Sequence, residues 1–259
     1  MSLRFELAGD GPAVVLLHAG ICDRRSWDPQ WDALREGHRV LRMDMPGFGE
    51  SPLGDPPVEP ADAVADLLDE HSIERATLVG ASYGGRVALE LAIKRPELAE
   101  SLVLIGASLP DHEWSKAVSD YGEEEEEALD SGEIDRALEA NLRMWVDGPE
   151  REPGEAPAEV RSAVAAMARP ALELQAAADD LGEEDGVPDL GARLGEITAP
   201  ALVLVGELDV EDMRRIASRL AAEIPDARLE TIPGTAHLPA MERPDVVNGL
   251  VLDFLAQSA

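Results

Sequence analysis

The pentapeptide Gly80-Ala81-Ser82-Tyr83-Gly84 fits the pattern G-x-S-x-G. It follows the apolar run Thr77–Val79 and precedes a helical pattern through Val87, Leu89 and Leu91. In that strand–turn–helix setting a serine is held exposed on a strained turn. Gly80, Gly84 and Gly85 allow the close backbone approach such a turn needs. The pentapeptide alone also fits an ordinary glycine-rich turn between strand and helix, so its partners matter. A serine hydroxyl is a weak nucleophile that needs a base, itself oriented by an acid. His237 lies in Pro233-Gly234-Thr235-Ala236-His237-Leu238-Pro239, between the last strand and the last helix, and Asp209 ends Leu202–Asp209, directly after a strong apolar run. The order Ser–Asp–His, each member following a strand, points to Ser82 as nucleophile, His237 as base and Asp209 as the acid that orients it. Nucleotide binding is not expected. The first strand–helix turn reads His18-Ala19-Gly20-Ile21-Cys22 rather than G-x-G-x-x-G, there is no G-x-x-x-x-G-K-[ST] loop, and the lysines are Lys94 and Lys116.

The elements that must position these residues read as an α/β fold. Short apolar runs predict strands at Leu3–Leu7, Ala13–His18, Val40–Met43, Thr77–Val79, Leu102–Ile105, Ala201–Val205 and Arg228–Ile232. Helical patterns fall between them at Pro60–His71, Tyr83–Arg95, Glu211–Glu223 and Pro244–Ala256, as in a parallel sheet covered by helices. Met213, Ile216, Ala217 and Leu220 form an amphipathic stripe. Pro96 and Pro225 stand just beyond helical stretches. The rhythm breaks in residues 110–196, which offer helical segments and no convincing strand. Pro170 is expected to kink or divide the helical stretch Ala158–Leu181. The expected division is a core of residues 1–109 and 197–259 interrupted by a helical insertion at 110–196.

The chain has 259 residues, 45% of them hydrophobic, ample for a buried core. Its formal net charge is −31, and the insertion, with 25 acidic and 7 basic residues, carries −18 of it. Such a polyanion repels phosphate backbones and anionic lipid heads, which argues against nucleic acid and membrane surfaces as partners. The run Glu123–Glu127 repels itself and reads as a solvated surface. Cys22 is the only cysteine, so no disulfide forms within the chain. The first apolar run, Ala13–Leu17, is too short to span a bilayer, and residues 1–11 show no apolar h-region after a basic start. A cytoplasmic protein is expected. The sequence holds no H-E-x-x-H, paired-cysteine or calcium-loop pattern, so neither metal nor organic cofactor is implied.

Taken together these motifs resemble the α/β-hydrolase superfamily over nearly the whole chain. His18-Ala19-Gly20 is similar to the family's His-Gly-x oxyanion loop, with alanine where glycine is commoner, and Asp44-Met45-Pro46-Gly47-Phe48-Gly49-Glu50-Ser51 to its D-x-x-G-x-G-x-S turn. Residues 110–196 sit where the family places its cap. The resemblance implies an oxyanion hole formed by the backbone N–H groups of Gly20 and Tyr83, with His18 supporting the loop. It also implies apolar pocket walls from the cap and the loop after Gly20, for which Trp27, Trp114, Met144, Trp145 and Leu238 are the candidates. Core packing stays open for the tryptophans and is the better reading of Trp31. Cys22 reads as a small buried hydrophobe, and His112 as a surface residue of the insertion.

The expected activity is hydrolysis of an ester, lactone or related acyl bond of a small molecule through an acyl-enzyme. Ser82 argues against the superfamily's dehalogenases and epoxide hydrolases, which use aspartate. Two alternatives use the same scaffold: a ligand-binding or signalling protein with poor turnover, and an acyltransferase employing the same triad. The acidic insertion favours a neutral or weakly cationic substrate unless its seven basic residues converge, Arg143 being the one nearest Met144 and Trp145.

Overall fold

The structure is a computed structural model that describes residues 3–54, 58–152, 154–178 and 186–258. Every predicted strand is present, with its ends moved by a few residues: β1 (Phe5–Ala8), β2 (Ala13–Leu17), β3 (Arg39–Met43), β4 (Ala76–Ala81), β5 (Ala99–Ile105), β6 (Ala201–Gly206) and β7 (Ala227–Ile232). They form one sheet in the order β1-β3-β2-β4-β5-β6-β7. Only β1 runs antiparallel to its neighbour. β4 and β6 are buried at every position because helices cover both faces of the sheet, which is why their sequences are continuously apolar. The edge strand β7 instead alternates exposed and half-buried positions along most of its length.

The covering helices bury one stripe each. α1 (Asp28–Leu34) follows a short 3₁₀ turn, Arg24–Trp27, whose N-terminus is capped by the Asp23 carboxylate. α2 (Pro60–Glu70) starts with Pro60 behind Glu59, whose side chain accepts the N–H groups of Ala61 and Asp62. α3 (Tyr83–Lys94) begins immediately after Ser82.

The stretch 110–196 contains α4 (Lys116–Asp130), α5 (Ile134–Asn141), a widened π-type turn Leu142–Asp147, α6 (Ala158–Ala177) and a 3₁₀ turn Leu190–Glu196, with no strand among its described residues. Pro170 does not divide the helix: α6 continues through it. An internal proline costs a helix roughly 3 kcal/mol, which burial of Ala168, Ala171 and Leu172 around it helps to offset. The expected continuation to Leu181 lies outside the described residues. Leu190 and Leu194 are fully buried in the same cluster as Leu102 and Ile216, so the end of this stretch packs as part of the sheet's own core. α7 (Glu211–Glu223) buries the predicted stripe Met213, Ile216, Ala217 and Leu220, and α8 (Pro239–Glu242) and α9 (Pro244–Ser258) complete the chain. No helix of the described residues is long and apolar enough to cross a membrane.

Strand order reverses between β2 and β4, the point at which an open parallel sheet leaves a crevice beyond its carboxyl ends. Gly20 follows β2, Ser82 follows β4, Asp209 follows β6 and His237 follows β7, so all four emerge on that edge.

Candidate active site

Ser82 occupies φ 49°, ψ −112°, a conformation a non-glycine residue adopts at a cost of about 1–3 kcal/mol. The surroundings hold it there. Its N–H donates to the Ile105 carbonyl (2.9 Å), and its carbonyl accepts from Gly85 (3.0 Å), Arg86 (3.1 Å) and Ser108 (3.3 Å). The turn closes only with glycine at two flanking points: a Cβ on Gly80 would stand 2.2 Å from the Gly84 carbonyl oxygen, and one on Gly84 2.2 Å from that of Leu17.

His237 Nδ1 lies 2.9 Å from Asp209 Oδ2, with both side chains almost fully buried. Asp209 Oδ1 accepts the Val210 N–H (2.8 Å), which fixes the carboxylate plane. A proton on Nδ1 satisfies Asp209 and leaves Nε2 as the basic nitrogen. Two contacts set the histidine loop in place. The end of β6 touches it so closely that a Cβ on Gly206 would fall 1.9 Å from the Ala236 carbonyl oxygen. On the other side a buried Arg151–Glu242 ion pair straps it: Glu242 accepts the Ala236 N–H (2.9 Å), while Arg151 donates to the carbonyls of Gly234 (2.8 Å) and Val146 (3.1 Å). The Trp145 ring packs 4.6 Å from the imidazole.

The loop after β2 faces the Ser82 turn. A Cβ on Gly20 would meet that of Tyr83 at 3.7 Å, and the Gly20 N–H donates to no protein acceptor among the described residues. His18 is wholly buried; its Nδ1 donates to the Ala19 carbonyl (2.8 Å) and its Nε2 accepts the Met45 N–H (3.0 Å), which specifies a neutral ring. Burial holds its pKa below the ordinary histidine value, against the Ala19 hydrogen bond and the charges of Asp44 and Asp23. The Asp44 turn buttresses this loop. Its carboxylate accepts the N–H groups of Arg24 (2.8 Å) and Glu50 (2.9 Å) and pairs with the Arg24 guanidinium, while Phe48 packs edge-on against His18 at 5.2 Å.

Gly20, Ser82, Tyr83, Trp145 and His237 line one cavity of about 460 Å³. The other expected wall residues lie elsewhere. Trp27, 1% exposed, is a core residue under α1; together with Cys22 and Leu238 it borders a separate void of about 10 Å³ behind His237. Trp114 packs on the His112 ring at 5.0 Å, and Met144 packs against the core of the sheet. His112 is half-buried rather than a surface residue: its Nε2 lies 3.0 Å from Asp212 Oδ1, a carboxylate that also accepts the Ser115 N–H and hydroxyl. Arg143 is exposed and paired with Glu124 (2.6 Å), away from the cavity. Burial and the neighbouring Asp23 push the Cys22 thiol well up, which leaves it protonated and inert. The sequence reading missed the polar wall opposite, formed by Tyr121, Glu125 and Asn141. The signal was present as the four-residue spacing of Tyr121 and Glu125, hidden inside an acidic run.

The profile of the alpha/beta hydrolase family matches residues 14–250, and the chain belongs to that family. It is an enzyme of the hydrolase fold. A protein of Variovorax paradoxus named as a candidate carbamate hydrolase, RutD, is 32% identical, the match covering 99% of this chain and 97% of the relative. The pimeloyl-[acyl-carrier protein] methyl ester esterase of Nitrosomonas europaea is 28% identical over 94% of this chain and 96% of its own. Among solved structures, a hydrolase from Pseudomonas aeruginosa superposes with a TM-score of 0.77 at 30% identity, covering 98% of this chain and 94% of that one.

Proposed function

We propose that this enzyme is a serine hydrolase that cleaves an ester, lactone or related acyl bond of a small molecule. The observation that carries the reading is a buried Asp209–His237 pair whose imidazole shares one cavity with Ser82, on a strained turn at the carboxyl edge of the sheet. Asp209 holds His237 with its Nδ1 proton inward. Nε2 removes the Ser82 hydroxyl proton as Oγ attacks the substrate carbonyl. The N–H groups of Gly20 and Tyr83 receive the oxyanion, each such donor contributing about 2.7–4 kcal/mol to the transition state. Collapse expels the leaving group with the proton from His237 and leaves an acyl-Ser82 ester. His237 then deprotonates a water that attacks this ester, the acid departs, and Ser82 recovers its proton.

Residues 110–196 act in this reading as a cap on a core of residues 1–109 and 197–259. Tyr121, Asn141, Trp145, Ala171, Leu172 and Gln175 from this stretch line the cavity together with Ser82, which supports it. The acidic side chains on the cavity wall are Glu59 and Glu125, with no arginine or lysine among the described lining residues, which supports a neutral or weakly cationic substrate. The proposed setting is the cytoplasm, in keeping with a single cysteine that forms no disulfide within the chain.

The test is Ser82→Ala together with an organophosphonate label. The variant is expected to lose labelling and to fall by several orders of magnitude in kcat. Labelling that persists at another residue overturns the assignment.

A further inference from the structure

α4 places Tyr121 and Glu125 one turn apart on one face, and α5 ends at Asn141 beside them. The Tyr121 hydroxyl lies 3.0 Å from Glu125 Oε2 and 2.8 Å from Asn141 Oδ1. Asn141 Nδ2 donates to Glu125 Oε1 and to the Ala137 carbonyl (2.9 Å). These bonds orient the amide, since a flipped Asn141 would turn its oxygen toward two acceptors. Burial and the adjacent Glu125 push the phenol upward, so Tyr121 keeps its proton.

Within its own side chains the cluster leaves Glu125, a half-buried carboxylate on the cavity wall, with spare acceptor capacity. Tyr121 brings one proton and Asn141 two, of which one is spent on Ala137. The acceptors are the two oxygens of Glu125 and the amide oxygen of Asn141. Three acceptor atoms therefore share two protons, and each carboxylate oxygen has a further lone pair to offer. The cluster is part of the cavity wall and stands one indole away from the proposed base, because Trp145 packs on Tyr121 at 5.5 Å as well as on His237. Glu59, the other carboxylate of the wall, is committed to the N-terminus of α2 and to Lys94 (2.8 Å). Glu125 has no cationic partner in the described structure.

We propose that Glu125, oriented by Tyr121 and Asn141, is a specificity-determining residue that binds a cationic N–H donor, such as a primary ammonium, on the arm of the substrate remote from the scissile carbonyl. The ligand then supplies a hydrogen-bond donor and a positive charge that no described basic side chain of the wall provides. Charge-assisted bonds of this kind are about twice as strong as neutral ones.

This inference rests on the serine-hydrolase reading, and the test separates the two. Two isosteric pairs are compared by kcat/KM: 4-nitrophenyl 6-aminohexanoate against 4-nitrophenyl heptanoate for the acyl arm, and 6-aminohexyl butyrate against heptyl butyrate for the alcohol arm. The expected result is at least a tenfold preference for the ammonium member of one pair in the wild-type chain, lost in the Glu125→Gln variant. The Gln variant is checked for an unfolding transition to exclude a failure to fold. No preference in either pair, or a preference that survives Glu125→Gln, overturns the subsite. In the second case the cluster is only a structural tie between α4 and α5. Phosphonate labelling of Ser82 in the wild-type chain reports separately on the catalytic reading.

Discussion

In the proposed mechanism His18 serves catalysis without touching the reacting atoms. Its ring bridges the Ala19 carbonyl and the Met45 N–H, and so ties the Gly20 loop to the Asp44 turn. His18→Ala removes both bonds and is expected to let the Gly20 N–H drift from the position the proposed mechanism gives it. A shift of about 1 Å in such a group costs on the order of a hundredfold. Steady-state kinetics on an activated ester are expected to show kcat lowered by roughly tenfold to a hundredfold while KM moves less. An unchanged kcat would remove His18 from any positioning role. The same residue sets a pH dependence. Its folded pKa lies below the ordinary histidine value of about 6.5, so the unfolded chain takes up a proton that the folded chain refuses. Its stabilising contribution is complete above about pH 6.5 and is lost as pH falls toward the folded pKa. Urea unfolding at pH 7 and pH 5 is therefore expected to show a smaller loss of stability in His18→Gln than in the wild-type chain; equal losses would contradict it. The places of Ser82, Asp209 and His237 at the ends of strands were readable in sequence because each sits in a short motif after an apolar run. Glu125 was not, because a run of five glutamates looks uniformly solvated until the packing of α4 decides which one turns inward.

The strands were legible for the same physical reason that they are buried: a parallel sheet covered on both faces demands continuous apolar runs, and β4 and β6 supply them. The insertion was legible only as helical. Its wall residues depend on how helices pack, and scarcity of aromatics was a poor guide, since Trp27 fills the core while Trp145 reaches the cavity. At Pro170 the helix is not divided, because tertiary burial of its neighbours outweighs the local preference of proline. Long-range straps of this kind cannot be read from one segment, and the Arg151–Glu242 pair is the clearest case. It joins the turn after α5 to α8 and to the loop that carries His237. Both side chains are buried, so removing one leaves the other charged and unpaired, at a cost of about 3–5 kcal/mol. Glu242→Ala is expected to lose about that much in denaturant unfolding. The double variant Arg151→Met, Glu242→Met should recover much of the stability, because no charge is left stranded. It should not recover full kcat, because the Ala236 N–H and the Gly234 carbonyl still lack their partners. A double variant no more stable than Glu242→Ala would contradict the burial argument.

The chain carries a net charge of −31, and no arginine or lysine is among the described residues that line the cavity. The seven basic residues of the insertion do not converge on the entrance. Each is paired with acidic side chains: Lys116 with Asp120, Arg136 with Glu127 and Glu133, Arg143 with Glu124, Arg151 with Glu242, Arg161 with Glu139 and Asp147, Arg169 with Asp135, and Arg193 with Glu196. An anionic substrate approaches a chain of like net charge, which lowers its local concentration and its rate of encounter. Salt screens this over a Debye length of about 30 Å at 0.01 M and about 10 Å at 0.1 M. For the monoanionic 4-nitrophenyl ester of adipic acid, kcat/KM is expected to rise several-fold between those ionic strengths, while that of 4-nitrophenyl heptanoate stays level. The effect belongs to the molecule's summed charge rather than to the cavity wall. Glu125→Gln changes that sum by one unit only, so it should leave the salt slope of the anionic ester nearly unaltered even if it changes the preference for an ammonium group. A flat salt response for the anion would mean that the acidic surface is not felt at Ser82. A slope abolished by the single Glu125 substitution would locate the repulsion at one carboxylate instead of in the charge of the chain.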